Sequence, residues 1–220
     1  MRKRYDDPLE ELHDELILMG SYVEEAILRT VRALVEQDRQ QARDVIAFDD
    51  EIDRKEKEIE ALCLKIVAQR HPEDAELRSV SAALKMITDM ERIGDQAADI
   101  SEIVLSLADS PFTKKLDHIS MMAQQTARMV TDAVDAFVQG DLEKVQEVID
   151  GDDIVDNLFY NVKDDLLTLI VEDASSSSQA MDFLLVAKYF ERIGDHAENI
   201  AEWVEFSITG EHRRNTAAAR

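Results

Sequence analysis

Apolar residues along this chain recur at steps of three and four rather than two, the period of a helix with one buried face. The third segment carries the pattern furthest. There Leu77, Val80, Leu84, Ile87, Met90, Ile93, Ala97, Ile100, Val104 and Leu107 draw one stripe over about thirty residues. Breaks fall at Gln37 to Arg39, with Asp38 as a cap, at His71-Pro72-Glu73-Asp74, and at Ser110-Pro111. Two more fall at Gly140-Asp141, a helix-ending glycine followed by an N-cap, and at Ser175 to Ser178. Only 6 Gly and 3 Pro occur in 220 residues, so little else interrupts the stripes. The pattern predicts an all-α protein of six long helices with short connections, and short connections force antiparallel neighbours.

The six helices fall into two matching sets. ERIGD stands at positions 91 to 95 and again at 191 to 195, an identity expected by chance about once in a million at a chosen pair of positions. Ala33-Leu34-Val35-Glu36-Gln37-Asp38 corresponds to Ala136-Phe137-Val138-Gln139-Gly140-Asp141 at an offset of 103, and Asp50-Glu51-Ile52-Asp53 to Asp153-Ile154-Val155-Asp156 at the same offset. The ERIGD segments are offset by 100, which a three-residue shortening of the second hairpin explains. The expected architecture is two tandem pseudo-symmetric three-helix bundles, residues 1–110 and 111–220, with Ser110-Pro111-Phe112 as the join.

Composition narrows what such a molecule does. With 48 Asp and Glu against 25 Lys and Arg, its formal net charge is -23, and that field repels a phosphate backbone. Nucleic acid is thereby excluded as a partner, and cations or basic proteins are favoured. The single Cys63 rules out an internal disulfide and suits a reducing compartment. MRKR at the start is followed by Tyr5, Asp6, Asp7 and Pro8, not by the apolar stretch of a leader. No apolar run approaches the ~20 residues of a membrane span, so a cytoplasmic protein is expected, with membrane association only through partners.

The acidic residues form a pattern of their own. Positions i, i+4 and i+8 advance by about 40° per step on a helix, so Glu91, Asp95 and Asp99 make one slowly turning ribbon beside the apolar stripe. Glu191, Asp195 and Asn199 repeat it with one charge fewer. Hairpin geometry adds a second constraint, because residues equally far from the turn lie at equal height. Asp53 with Glu91 centres on residue 72, and Asp50 with Asp95 nearly so; Asp156 with Glu191 and Asp153 with Asp195 centre near residue 174. Four carboxylates at one height on adjacent helices make an oxygen-rich cation site. An isolated ExxxD in so charged a chain is usually a solvated face; duplication and level pairing favour metal. Gly94 and Gly194 cost about 1 kcal/mol each in a helix interior relative to alanine, which points to close helix packing or room for an ion. Arg92 reads as a salt-bridging surface residue, and His196 points about 100° away from its neighbour Asp195.

These segments resemble a known family. LEELHDELILMGSYVEEAI, DDEIDRKEKEIEALC, HPEDAELRSVSAALKMITDMERIGDQAADI and FLLVAKYFERIGDHAENIAEWV are similar to the PhoU family of phosphate transport regulators, over nearly the whole chain. The resemblance implies tandem three-helix bundles and multinuclear metal clusters held on E/DxxxD motifs, of iron or zinc, with manganese or magnesium as alternatives. Carried over, the motifs fall on Glu91 and Asp95, with Asp99 one turn on, and on Glu191 and Asp195. It further implies a homodimeric negative regulator of the phosphate-starvation response. Such a regulator connects the ATPase subunit of the phosphate ABC transporter with a sensor histidine kinase.

Two rival classes stand against this expectation. A ferritin-like di-metal enzyme needs Glu-x-x-His on each of two helices, and only Glu10 with His13 fits, far in height from Glu91. There is no Gly-rich phosphate loop and no nucleophile and base at recognisable spacing, so catalysis is not expected. The third class is an interaction bundle that uses its acidic face for a basic partner and holds no metal.

Overall fold

The computed structural model describes residues 8–70, 73–107 and 117–213. Six helices account for nearly all of them: α1 Pro8–Glu36, α2 Arg39–Arg70, α3 Asp74–Leu107, α4 Asp117–Gln139, α5 Leu142–Glu172 and α6 Ser177–Thr209. The opening MRKR segment, the His71-Pro72 turn and the Ser110-Pro111-Phe112 join lie outside the described residues.

The two turns that open the second helix of each set are built alike. Asp38 accepts hydrogen bonds from the amides of Gln40 and Gln41 at 2.8 and 3.0 Å, and Asp141 from Glu143 and Lys144 at 2.9 and 3.2 Å. Each side chain thus satisfies amides that a helix start leaves without partners. Just before the cap the backbone turns left-handed, at Gln37 (φ 53°) and at Gly140 (φ 65°). Glycine adopts that region freely, whereas glutamine does so against its Cβ. The last break falls slightly ahead of its expected place: a 3-10 turn at Ala174–Ser176, capped by Asp173, leads directly into α6 at Ser177.

Helices α1, α2 and α3 pack on one another, as do α4, α5 and α6, and the two sets join through α3 on α6 and α1 on α4. Helices α2 and α5 touch only their own set among the described residues, so they flank a central layer of four. This arrangement explains what the stripe on α3 missed. Eight of its ten residues are buried, but Leu77 is exposed and Leu84 only half-buried. Ala82, Ala83, Met86 and Ser101 are buried as well: α3 packs against α1, α2 and α6, so more than one stripe of it is covered. The buried hydroxyls stay satisfied: Ser101 donates to the Ala97 carbonyl at 2.9 Å and lies 3.2 Å from the Thr30 hydroxyl of α1. Cys63 belongs to the core, where burial pushes its thiol up to about 12. No described helix is long and apolar enough to cross a membrane.

Candidate metal centre

The acidic clusters sit where α2 meets α3 and where α5 meets α6. In the first, Asp49, Asp53 and Asp95 each bring one carboxylate oxygen within 4.8 Å of the other two. Asp53 and Asp95 were expected here; Asp49 was not. It takes the inward position assigned from the sequence to Asp50, which is exposed and acts on Asp49 only through its charge. The second repeat does the same with Asp152 inward and Asp153 exposed.

The signal for both residues was present. Asp49 with Asp95 centres on residue 72, as does Asp53 with Glu91, whereas Asp50 with Asp95 misses by half a residue. Asp152 with Asp195 and Asp156 with Glu191 likewise share one centre. Asp49-Asp53 and Asp152-Asp156 are also i, i+4 pairs, so each second helix carries a DxxxD that matches the ExxxD of the third.

The glycine of ERIGD makes this geometry possible. A Cβ on Gly94 would lie 2.9 Å from Asp49 Oδ1, and one on Gly194 2.7 Å from Asp152 Oδ1. Both are closer than nonbonded atoms approach, so each glycine is the space its aspartate occupies. Ile52 and Val155 of the same facing helices come next, at 3.0 and 3.3 Å, so the two glycines mark close helix packing.

Electrostatics shows what this placement costs. Asp49 Oδ1 and Asp152 Oδ1 are buried and have no hydrogen-bond donor. Burial first, then the charges of Asp95, Asp53, Glu91 and Asp50, raises Asp49 from 3.8 to about 6. Burial, then Glu198, Asp195, Asp156 and Glu191, raises Asp152 to about 7. Glu91, Asp156, Asp195 and Glu198 are raised too, burial again being the largest cause. Only part of the charge is balanced from within. Arg92 reaches Asp95 at 3.0 Å and Glu91 at 3.5 Å, Lys57 reaches Asp53 at 3.7 Å, and Lys188 bonds Glu191.

A cation suits these residues on two grounds of their own. Two buried carboxylate oxygens lack donors, and the surrounding set is all carboxylate, the ligand type of hard, oxygen-preferring ions.

The outer ends of the two ribbons lead elsewhere. Asp99 is hydrogen-bonded to Tyr189 of α6, and Asn199 donates to Asp89 of α3 at 3.5 Å. His196 Nδ1 is 2.8 Å from the same Asp89 oxygen. Asp99, Asn199 and His196 therefore join α3 to α6, and the missing charge at Asn199 falls in that interface. Glu198 joins the second cluster instead, close enough for its charge to be the first to act on Asp152 after burial. His13 packs edge-on against Phe137, with ring centroids 5.5 Å apart.

Fold and site together define a duplicated helical bundle with one carboxylate cluster per repeat. The PhoU domain pattern matches residues 16–104 and 119–204. The chain is 39% identical over 210 residues to the phosphate-specific transport system accessory protein PhoU homolog of Clostridium acetobutylicum, covering 95% of this chain and 96% of that one. With the PhoU homolog of Pseudomonas aeruginosa it shares 30% identity over 99% of this chain and 90% of the other. The crystal structure of PhoU from Pseudomonas aeruginosa superposes with a TM-score of 0.88 at 31% identity, over 94% of this chain and 100% of that one. That of the phosphate transport system regulatory protein PhoU from Streptococcus pneumoniae gives 0.87 at 25%, over 96% and 99%. The chain belongs to the PhoU family. Its relatives are named for accessory and regulatory roles in phosphate transport, not for catalysis.

Proposed function

We propose that this chain is the accessory regulator of a phosphate-specific transport system and holds down the phosphate-starvation response while phosphate is plentiful. The observation that carries the reading is the match of both repeats to relatives so named, at 39% identity over 95% of the chain. In this reading it works as a homodimer on the cytoplasmic side. It links the ATPase subunit of the transporter to a sensor histidine kinase and reaches the membrane only through them. The net charge of -23 makes the protein a poor phosphate receptor, so phosphate status would be read from partner conformation or through bound metal. Deleting the gene should leave starvation genes expressed in phosphate-rich medium. Normal repression there would sink the proposal, and pull-downs at high and low phosphate identify the partners.

The same reading makes the two clusters metal sites. Asp49, Asp53, Glu91 and Asp95 would hold cations in the first repeat, and Asp152, Asp156, Glu191 and Asp195 in the second. A bound cation supplies positive charge there and ties each repeat's second helix to its third. The all-carboxylate set favours manganese, magnesium or iron over zinc. A metal-free interaction bundle is the competing reading, and Arg92 on Asp95 and Lys188 on Glu191 speak for it. Metal analysis of protein purified without chelator, beside an Asp49→Asn, Asp152→Asn variant, separates the two. Equal metal content in both proteins would remove the clusters as sites.

A further inference from the structure

The hairpin of α5 and α6 turns a run of apolar side chains to solvent near its turn. On α5, Tyr160, Leu167 and Val171 fall within about 40° of one another around the helix, and on α6 Met181 and Leu185 stand one turn apart. Val171 is 86% exposed, and the other four are exposed by half or more. Leu167 with Met181 centres on residue 174, as the acidic pairs of this hairpin do, so the two stripes lie level. Half-buried Ile170 and Leu184 form the floor between them. Ile170 stands five turns from Asp152 on one edge of α5, and Leu184 two turns from Glu191 on one edge of α6. The stripes therefore border a shallow groove between antiparallel helices, on the face that carries the second carboxylate cluster.

Apolar side chains gathered in this way mark a contact surface, unlike single exposed ones. The first hairpin exposes Leu64, Val67 and Leu77 near its own turn, but Lys57, Ser81 and Lys85 stand where the second has Tyr160, Met181 and Leu185. The unbroken groove belongs to the second hairpin. Its rim decides what fits. Asp164 and Glu172 flank the α5 stripe and Asp182 flanks the α6 stripe, against Lys163. Lys188 is already engaged by Glu191 and by the Phe159 ring, whose centre lies 5.7 Å from the ammonium. A two-fold contact with a second copy would set this acidic rim against itself, between chains that each carry -23. A helix with one apolar face and basic flanks satisfies both groove and rim. Eleven residue steps separate Tyr160 from Val171, about 16 Å, which matches three turns of such a helix.

We propose that the groove between α5 and α6 near their turn is a docking site for a basic amphipathic helix of a partner protein. The apolar face of that helix covers Ile170 and Leu184 between the two stripes, and its Lys or Arg residues meet Asp164, Glu172 and Asp182. The homodimer of the reading above then forms through another face. This inference stands on the surface itself and does not depend on metal in the clusters.

Calorimetric titration of the full-length chain with a synthetic amphipathic helix of leucine and lysine tests it. The comparisons are the same helix with glutamate in place of lysine, and a peptide of the same composition scrambled so that no apolar face forms. The basic amphipathic helix should bind most tightly. Val171→Ser with Leu185→Ser changes no charge and touches only exposed positions. It should weaken that binding about tenfold, equivalent to about 1.4 kcal/mol, while Leu64→Ser with Leu77→Ser should leave it unchanged. Equal affinity for the scrambled peptide, or an affinity that the Val171→Ser, Leu185→Ser change does not move, would reduce the binding to bulk charge and overturn the site. No binding of the basic helix, or a preference for the glutamate helix, overturns the partner assigned to it. A wild-type dimer that the Val171→Ser, Leu185→Ser protein fails to form in sedimentation would put a second copy in the groove and overturn the proposal as well.

Discussion

Replacing Asp152 by Asn tests the electrostatic account of the clusters most directly, because it keeps the shape and removes the charge. In the metal-free protein the raised pKa of about 7, against an ordinary 3.8, means that folding disfavours ionisation of this carboxyl. The cost is absent below the ordinary value, where folded and unfolded chains are both protonated. It builds as pH rises through the window from 3.8 to about 7 and is complete by pH 8. A shift of about three units at 1.36 kcal/mol each sets a ceiling of about 4 kcal/mol. Asp152 is only half-buried and solvent screens part of this, so about 2 kcal/mol is expected. The substituted amide carries no charge at any pH. With chelator present, Asp152→Asn should therefore raise the melting temperature at pH 8 by roughly 4–8 °C, at 2–4 °C per kcal/mol for a chain of this size. The gain should shrink towards zero by pH 4. Any cost of an unpaired buried amide is the same at both ends of the scale, so the pH dependence isolates the charge. Thermal melts followed by circular dichroism measure it. A difference between the two proteins that stays constant from pH 4 to pH 8 would refute the argument.

Gly194→Ala should force the Asp152 carboxylate aside, because the new Cβ would fall 2.7 Å from its oxygen. Metal binding in the second repeat should drop, measured by Mn2+ titration, while a helix-propensity gain of about 1 kcal/mol offsets part of the packing strain. Gln37→Gly should stabilise the protein by about 1 kcal/mol in urea unfolding, since Gln37 adopts the left-handed backbone that its counterpart Gly140 adopts freely. Adding Mn2+ to the stripped wild type should raise the melting temperature at neutral pH, with about 2.7 kcal/mol gained at a hundredfold excess over the dissociation constant. The Asp49→Asn, Asp152→Asn variant should show little of that gain.

Much of this protein is legible in its sequence, because helices and their caps are local. The three-and-four periodicity gives the six helices, Asp38 and Asp141 give the turn starts, and ERIGD gives the duplication; each depends on residues a few positions apart. Helix angle and hairpin symmetry also place Asp53, Glu91, Asp95 and their second-repeat counterparts at one height.

Tertiary packing decided what those rules leave open. Hairpin symmetry sets height to within a residue, but a one-residue step turns a helical side chain by about 100°, which is the difference between Asp50 in solvent and Asp49 under Gly94. How the two bundles meet has no local signature either. Only the packing of α3 against three other helices buries Ala82, Ala83 and Met86 beyond its stripe, and only the contact of α3 with α6 shows why Asp99 and Asn199 serve the interface. The contact of the Lys188 ammonium with the Phe159 ring became visible last, because it joins α6 to α5 through residues 29 positions apart that neither helix specifies alone.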